Sequence, residues 1–236
     1  MAWFRRLLFG VARSPVSAFF IGFAFEHLAA LLPVNQVSEN AQVLVFQHPV
    51  PFWQFHMLGV PKKRLRSLAS LALGTPAGQT LLLALLAALR AAAQAKCPAG
   101  YKIIVNGGRY QDVPQLHFHL CSGQAANGDG NLPMREDILL PGAPLAAHGA
   151  ARLYAHPQPS RAVHYLLAAG ADLPPFGRLD FAQPAQAAAL CDLFVLAQAS
   201  VAQLGLEAYT LIIDVPAGQP GEALVLHLVS GAAIQP

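Results

Sequence analysis

Gln115, His117 and His119 fall at alternate positions in the stretch Tyr101–Gly123, YKIIVNGGRYQDVPQLHFHLCSG. In an extended chain a period of two places them on one face, with Leu116, Phe118 and Leu120 on the other, against a core. A neutral imidazole is a competent nucleophile near pH 7, and neighbouring donors can stabilise charge on a group in transfer. Upstream, IIVNGG reads as a strand running into Asn106-Gly107-Gly108, a hairpin turn more than an anion nest. Arg109 follows as a loop cation. Neutral imidazoles of His56, His117 and His119 could converge on a metal, but no carboxylate or cysteine completes such a set. No metal and no cofactor are therefore expected.

The rest of the composition narrows the setting. The chain has 236 residues, 55% hydrophobic and only 11% charged, against about 25% charged in a typical soluble domain. That argues against disorder and points to membrane contact or a large buried interface. The net charge is +3, and apart from the run KKRLR the basic residues are scattered, so nucleic acid is not an expected partner. Cys97, Cys121 and Cys191 make neither a disulfide framework nor a zinc pattern, which fits an intracellular, reducing compartment.

Residues 1–33 are the most apolar part. Ser14-Pro15 is a helix start and Pro33 a stop, leaving a helix of about 17 residues, roughly 26 Å long and just short of a comfortable span. Arg5, Arg6 and Arg13 precede it, and Glu26 and His27 interrupt it. A helix on a membrane surface, a helix packed on the domain or a partner protein, a true anchor and a cleavable targeting peptide all compete. The weight falls on association without spanning. Beyond it, VLVF and FHMLGV have strand composition, linked through Pro49 and Pro51. Ser67–Leu73 suits a short helix, and Thr80–Ala95 a long Leu/Ala helix that wants cover on two sides.

The chain then repeats itself. One constant, gapless offset carries His48-Pro49-x-Pro51 onto His156-Pro157-x-Pro159, His56 onto His164 and Pro76 onto Pro184. It also carries Tyr101 onto Tyr209, His119 onto His227 and Ser122-Gly123 onto Ser230-Gly231. The copies differ where chemistry would sit: Asn106 becomes Asp214, Gln115 becomes Ala223 and His117 becomes Val225. His27, His148, His156, His164 and His227 are therefore read as structural or surface residues. Four segments result: the apolar N-terminal segment 1–33, a first unit 34–123 with the candidate site, a Gly/Asn/Pro-rich linker 124–150, and a degenerate second unit 151–236. Two strand-and-helix units that each need their helix covered would pack as an intrachain pseudo-dimer, through the apolar helices or the sheet edges.

Gln111-Asp112-Val113-Pro114-Gln115-Leu116-His117-Phe118-His119-Leu120 resembles the signature strand of the histidine-triad superfamily, with Gln115 in place of the first histidine. The strand IIVNGG with Asn106, and VLVF followed by His56 and VPKK, are also similar to the family's pattern. The tandem repeat is similar to the galactose-1-phosphate uridylyltransferase branch. The resemblance implies an α+β fold of two antiparallel sheets, each with one long and one short helix, plus the extra N-terminal helix. It implies nucleotidyl hydrolase or transferase chemistry through a phosphohistidine on His117. His119, Gln115 and His56 match the rest of the catalytic set. Asn106, Gln111, Asp112 and His48 match the nucleotide and phosphate pocket, so the expected partner is a nucleotide or phosphorylated small molecule. The alternative is a non-catalytic relative held at a membrane or in a larger assembly by residues 1–33.

Overall fold

The computed structural model describes residues 35–97, 100–125, 142–170, 173–216 and 223–233. The helix expected within residues 1–33 and most of the linker lie outside the described residues. The first half builds β1 (Gln36–Glu39), β2 (Val43–Gln47), β3 (Trp53–Pro61), α1 (Pro76–Lys96), β4 (Tyr101–Gly108) and β5 (Phe118–Ala125). The second half builds β6 (Ala146–His148), β7 (Ala151–Ala155), β8 (Arg161–Ala169), α2 (Pro184–Gln203), β9 (Ala208–Val215) and β10 (Val225–Ala233). β6 lies within the stretch 124–150 read as linker, yet it is an edge strand of the second half, paired with β7.

Both helices begin at a proline, whose missing N–H costs nothing in a first turn. Thr75 caps α1 by accepting from the Gly78 N–H, and Gln183 caps α2 by accepting from the Gln186 N–H. The proline start extends α1 one turn before the expected Thr80. The short helix expected at Ser67–Leu73 is a single 3-10 turn, Leu68–Ser70, with its counterpart at Phe176–Arg178.

The strands form a single antiparallel sheet in the order β1-β2-β3-β5-β4-β9-β10-β8-β7-β6. α1 and α2 cover one face of it. Leu82, Leu85, Leu86 and Leu89 of α1 are fully buried, each such side chain contributing about 1.5–3 kcal/mol relative to exposure. They pack with Leu116, Phe118 and Leu120, the residues expected to face the core. Both helices are long and apolar enough to cross a membrane, but here their buried leucines pack on the sheet. The other face carries a smaller cluster of Ile104, Cys121, Ile212 and Val229, with Trp53 against it.

The repeat is a spatial symmetry. Elements that start at positions 43, 53, 68 and 76 recur at 151, 161, 176 and 184, the same offset each time. β4 and β9 pair from Tyr101↔Val215 to Gly108↔Ala208, and join the halves into one sheet. Behind this seam, α1 reaches the second half and α2 the first. The Arg90 guanidinium donates to the Leu179 carbonyl and sits 4.2 Å from the centre of the Phe181 ring. Gln198, the counterpart of Arg90 in the repeat, donates to the carbonyls of Leu68 and Leu71 at 2.6 and 3.0 Å. The expected pseudo-dimer is thus built from both candidate interfaces, sheet edges and helices.

Candidate active site

His119 lies in β5, opposite Leu58 of β3 on one side and Ile104 of β4 on the other, on the face away from the helices. His56 stands opposite Cys121 on that same face. β5 begins only at Phe118, so Gln115 and His117 sit in the loop just before the strand. That loop is held by two glutamines. Gln115 is buried and its amide donates to the carbonyls of Pro61 and Lys63, both at 3.1 Å, while its oxygen accepts from the Leu65 N–H at 3.4 Å. Gln111 donates to the carbonyls of Arg66 and Val113 at 2.6 and 2.7 Å and to that of Gln115 at 3.3 Å. The Gln115 side chain therefore grips the segment after β3, and its main chain is what meets His117.

The hydrogen bonds assign the protons on the rings. His117 Nδ1 lies 2.7 Å from the Gln115 carbonyl. A carbonyl only accepts, so Nδ1 carries the proton and Nε2 keeps a free lone pair. His56 Nδ1 accepts from the Phe52 N–H at 3.2 Å, which places the His56 proton on Nε2. His56 Nε2 donates to His119 Nδ1 at 2.9 Å. His119 must then carry its proton on Nε2, and that buried N–H has no hydrogen-bond partner among the described residues. The rings of His117 and His119 meet edge to face with centroids 4.9 Å apart. A bare imidazole nitrogen and an unused N–H donor thus stand side by side.

Burial keeps these rings neutral, because desolvation penalises the imidazolium. Desolvation pushes His56 down to about 3 and His48 down to about 4. It lowers His117 as well, opposed by the bond to the Gln115 carbonyl, and takes His119 well below its ordinary value, helped by the neighbouring histidines.

The remaining predicted residues surround this core. His48 stacks on His56, centroids 4.0 Å apart and planes within 10°, and accepts from the Val50 N–H at 3.1 Å. Asn106 faces the seam and accepts from the Thr210 hydroxyl at 2.8 Å. Asp112 is exposed, and its charge favours protonation of His117 and His48. His48, His56 and His119 each offer a nitrogen within metal-ligand range of the others. The stacking works against a metal, since parallel rings aim their lone pairs in parallel and not at one point. Two shallow clefts lie along the seam, one beside Lys102 and Asp214 and one beside Tyr110 and Thr210, and neither is lined by the histidines.

The second half keeps most of this framework. His156, His164 and His227 are buried. His156 stacks on His164 at 3.9 Å, His164 Nε2 lies 3.0 Å from His227 Nδ1, and His164 Nδ1 accepts from the Ser160 N–H at 3.2 Å. Their alignment with His48, His56 and His119 is visible in the repeat; that they form a second stack is not, because it depends on strand pairing. The position there that corresponds to His117 is Val225. His148 is a surface residue, 3.8 Å from Asp192.

A two-fold repeat of strands and helices, joined edge to edge, with one surviving histidine site beside the join, defines the class. Residues 31–126 match the HIT domain family, and the second half repeats that unit's strand-and-helix order to give a tandem, pseudo-dimeric fold. Three solved structures share the arrangement over most of the chain. An ADP-glucose phosphorylase from Arabidopsis thaliana with bound ADP-glucose is similar at 12% identity and TM-score 0.60, covering 89% of this chain and 80% of its own. A galt-like protein from the same organism is similar at 12% and 0.59, covering 90% and 83%. A DUF4931 family protein from Bacillus cereus is similar at 10% and 0.55, covering 86% and 88%.

Proposed function

We propose that this protein is a nucleotidyl hydrolase or transferase that attacks the α-phosphate of a nucleoside phosphate ester, anhydride or phosphoramidate with Nε2 of His117. An N–P bond forms as the bond from phosphorus to the leaving oxygen or nitrogen breaks, and the leaving group takes a proton from water. A second nucleophile, water or an acceptor phosphate, then attacks phosphorus, breaks the N–P bond and regenerates His117. His119 donates its Nε2–H to a phosphoryl oxygen whose charge rises in the transition state. His56 keeps His119 in the tautomer that can donate, His48 stacks on His56, and Gln115 fixes His117 through its carbonyl. Three buried free cysteines support a reducing compartment as its setting.

The observation that carries this reading is the juxtaposition of an unprotonated His117 Nε2 with an unpartnered His119 Nε2–H. Purified protein incubated with adenosine phosphoramidate, a dinucleoside polyphosphate and a nucleoside diphosphate sugar is expected to turn over one or more of them. It is expected to trap a covalent nucleotidyl adduct, and both should vanish in His117→Ala. The sugar nucleotide belongs in the panel because a structurally similar protein is an ADP-glucose phosphorylase. Absence of both turnover and adduct with all three substrates overturns the proposal.

A further inference from the structure

Across β4, the histidine site meets the second half of the chain. Lys102, Ile103 and Ile104 of β4 pair with Cys121, Leu120 and His119 of β5. Continued by two residues, that register sets Asn106 across from His117, just before the point where β5 begins. On its other side Asn106 pairs with Thr210 of β9. A period of two keeps Asn106 on the face of Ile104, and Thr210 on the face of Ile212. Both isoleucines belong to the cluster away from the helices, on the face that carries His119. His117, Asn106 and Thr210 therefore make one row across the sheet, and the third comes from the second half.

The side chains give that row a direction. The Thr210 hydroxyl donates to Asn106 Oδ1 at 2.8 Å. The oxygen and nitrogen of a carboxamide point to opposite sides of its carbon, so an oxygen turned to β9 turns the NH2 towards β5 and His117. Asn106 is half-buried, and among the described residues its NH2 makes no hydrogen bond. The symmetric row carries the opposite chemistry. There Val225, Asp214 and Lys102 take the places of His117, Asn106 and Thr210, and Lys102 Nζ lies 3.6 Å from Asp214 Oδ2. A carboxylate has no proton to donate and repels a phosphoryl oxygen. Only the row that holds His117 presents a neutral donor.

The structure assigns Thr210 as a positioning residue supplied by the second half. Its hydroxyl holds the Asn106 NH2 towards the phosphoryl group in transfer at His117, where the NH2 donates to a phosphoryl oxygen. This rests on His117 being the nucleophile. Asn106 then acts beside the His119 Nε2–H, so the charge rising on the transferring group meets two fixed donors. A threonine suits the task because its hydroxyl donates to the amide oxygen while its branched Cβ restricts rotation in the strand. Without that hydroxyl the amide can turn over and offer its oxygen instead. The half that lacks the nucleophile thus keeps a part in catalysis.

Thr210→Val keeps the branching and removes the donor. It should lower kcat about five- to tenfold, the worth of one neutral hydrogen bond, with KM changed by less than about twofold. Thr210→Ser should recover most of the loss. Asn106→Ala should lower kcat about 10²-fold, and Thr210→Val added to it should cost nothing more, because the hydroxyl then has no amide to hold. A threonine that only stabilised the seam would shift the urea midpoint and leave turnover per folded molecule unchanged. That result, or a full further loss in the Asn106→Ala background, overturns the assignment. AMP binding by titration calorimetry separates it from the nucleophile. If no substrate turns over but AMP affinity falls equally in Thr210→Val and Asn106→Ala, the nucleophile assignment fails and the positioning role stands. If neither turnover nor AMP affinity depends on Thr210, the positioning role fails.

Discussion

Ile104 and Ile212 face each other across the central strand pair, and each is the other's counterpart in the repeat. The pseudo-two-fold axis therefore passes between them. Away from that axis the symmetric pairs have drifted: Lys102 with Asp214 makes an ion pair, while the equivalent Thr210 with Asn106 makes a neutral hydrogen bond. The scaffold is symmetric and its chemistry is not.

The two histidine stacks should respond differently to the same substitution. His119→Ala should lower kcat by about 10²-fold or more, the scale of losing one transition-state donor. His227→Ala leaves the His164 N–H without its acceptor in a buried site, so it should cost about 1–3 kcal/mol of stability with turnover per folded molecule unchanged. Urea unfolding and steady-state kinetics on the same preparations separate the two effects.

Acid should unfold the protein cooperatively. The buried histidines have folded-state values below the unfolded 6.5, including about 3 for His56 and His227 and about 4 for His48 and His164. The unfolded chain thus takes up protons first. Stability is at its full value above pH 6.5 and falls as pH drops towards 3–4. Urea midpoints measured from pH 7.5 to 4.5 should decline with a slope of more than one proton, and a flat profile would contradict this.

The pH–rate profile should share that direction. On the proposed mechanism His117 acts unprotonated, and burial lowers its pKa, so the acid limb of kcat/KM belongs below 6.5. An acid limb above 6.5 would place a protonated, solvated histidine at this position.

Gln115→Ala removes three hydrogen bonds between the loop that carries His117 and residues 61–65. It should destabilise by about 1–3 kcal/mol by leaving the buried Pro61 carbonyl unpaired. Amide exchange at Leu65 should accelerate as the segment is released. Unchanged exchange there would show that Gln115 is not the tie.

Gly107 lies in the seam opposite Tyr209, and a Cβ there would stand 2.1 Å from the Tyr209 ring. Gly107→Ala should cost about 1–3 kcal/mol through overpacking. Gly177→Ala, whose Cβ would come no closer than 3.8 Å to Val215, should be nearly neutral and serves as its control in thermal unfolding.

Much of the architecture follows from local pattern. The alternation through Leu116, Phe118 and Leu120 places β5's core face, Pro76 and Pro184 start the helices, and the constant register of the repeat aligns almost every element of one half with the other. These features depend on backbone preference and hydrophobic period, which a sequence carries residue by residue. Identity of the histidines was legible in the same way.

Their roles were not. That Gln115 turns its side chain to the backbone at 61–65, and that a bond chain from the Phe52 N–H through His56 sets the His119 proton, depends on groups far apart along the chain. So does the difference between Asn106, held by Thr210, and Asp214, paired with Lys102. Such outcomes are set by which strands lie beside each other and in what register, and only the folded sheet decides that. Gln115, His117 and His119 alternate in the sequence as equals. In the structure one holds the loop, one presents a lone pair, and one offers a proton.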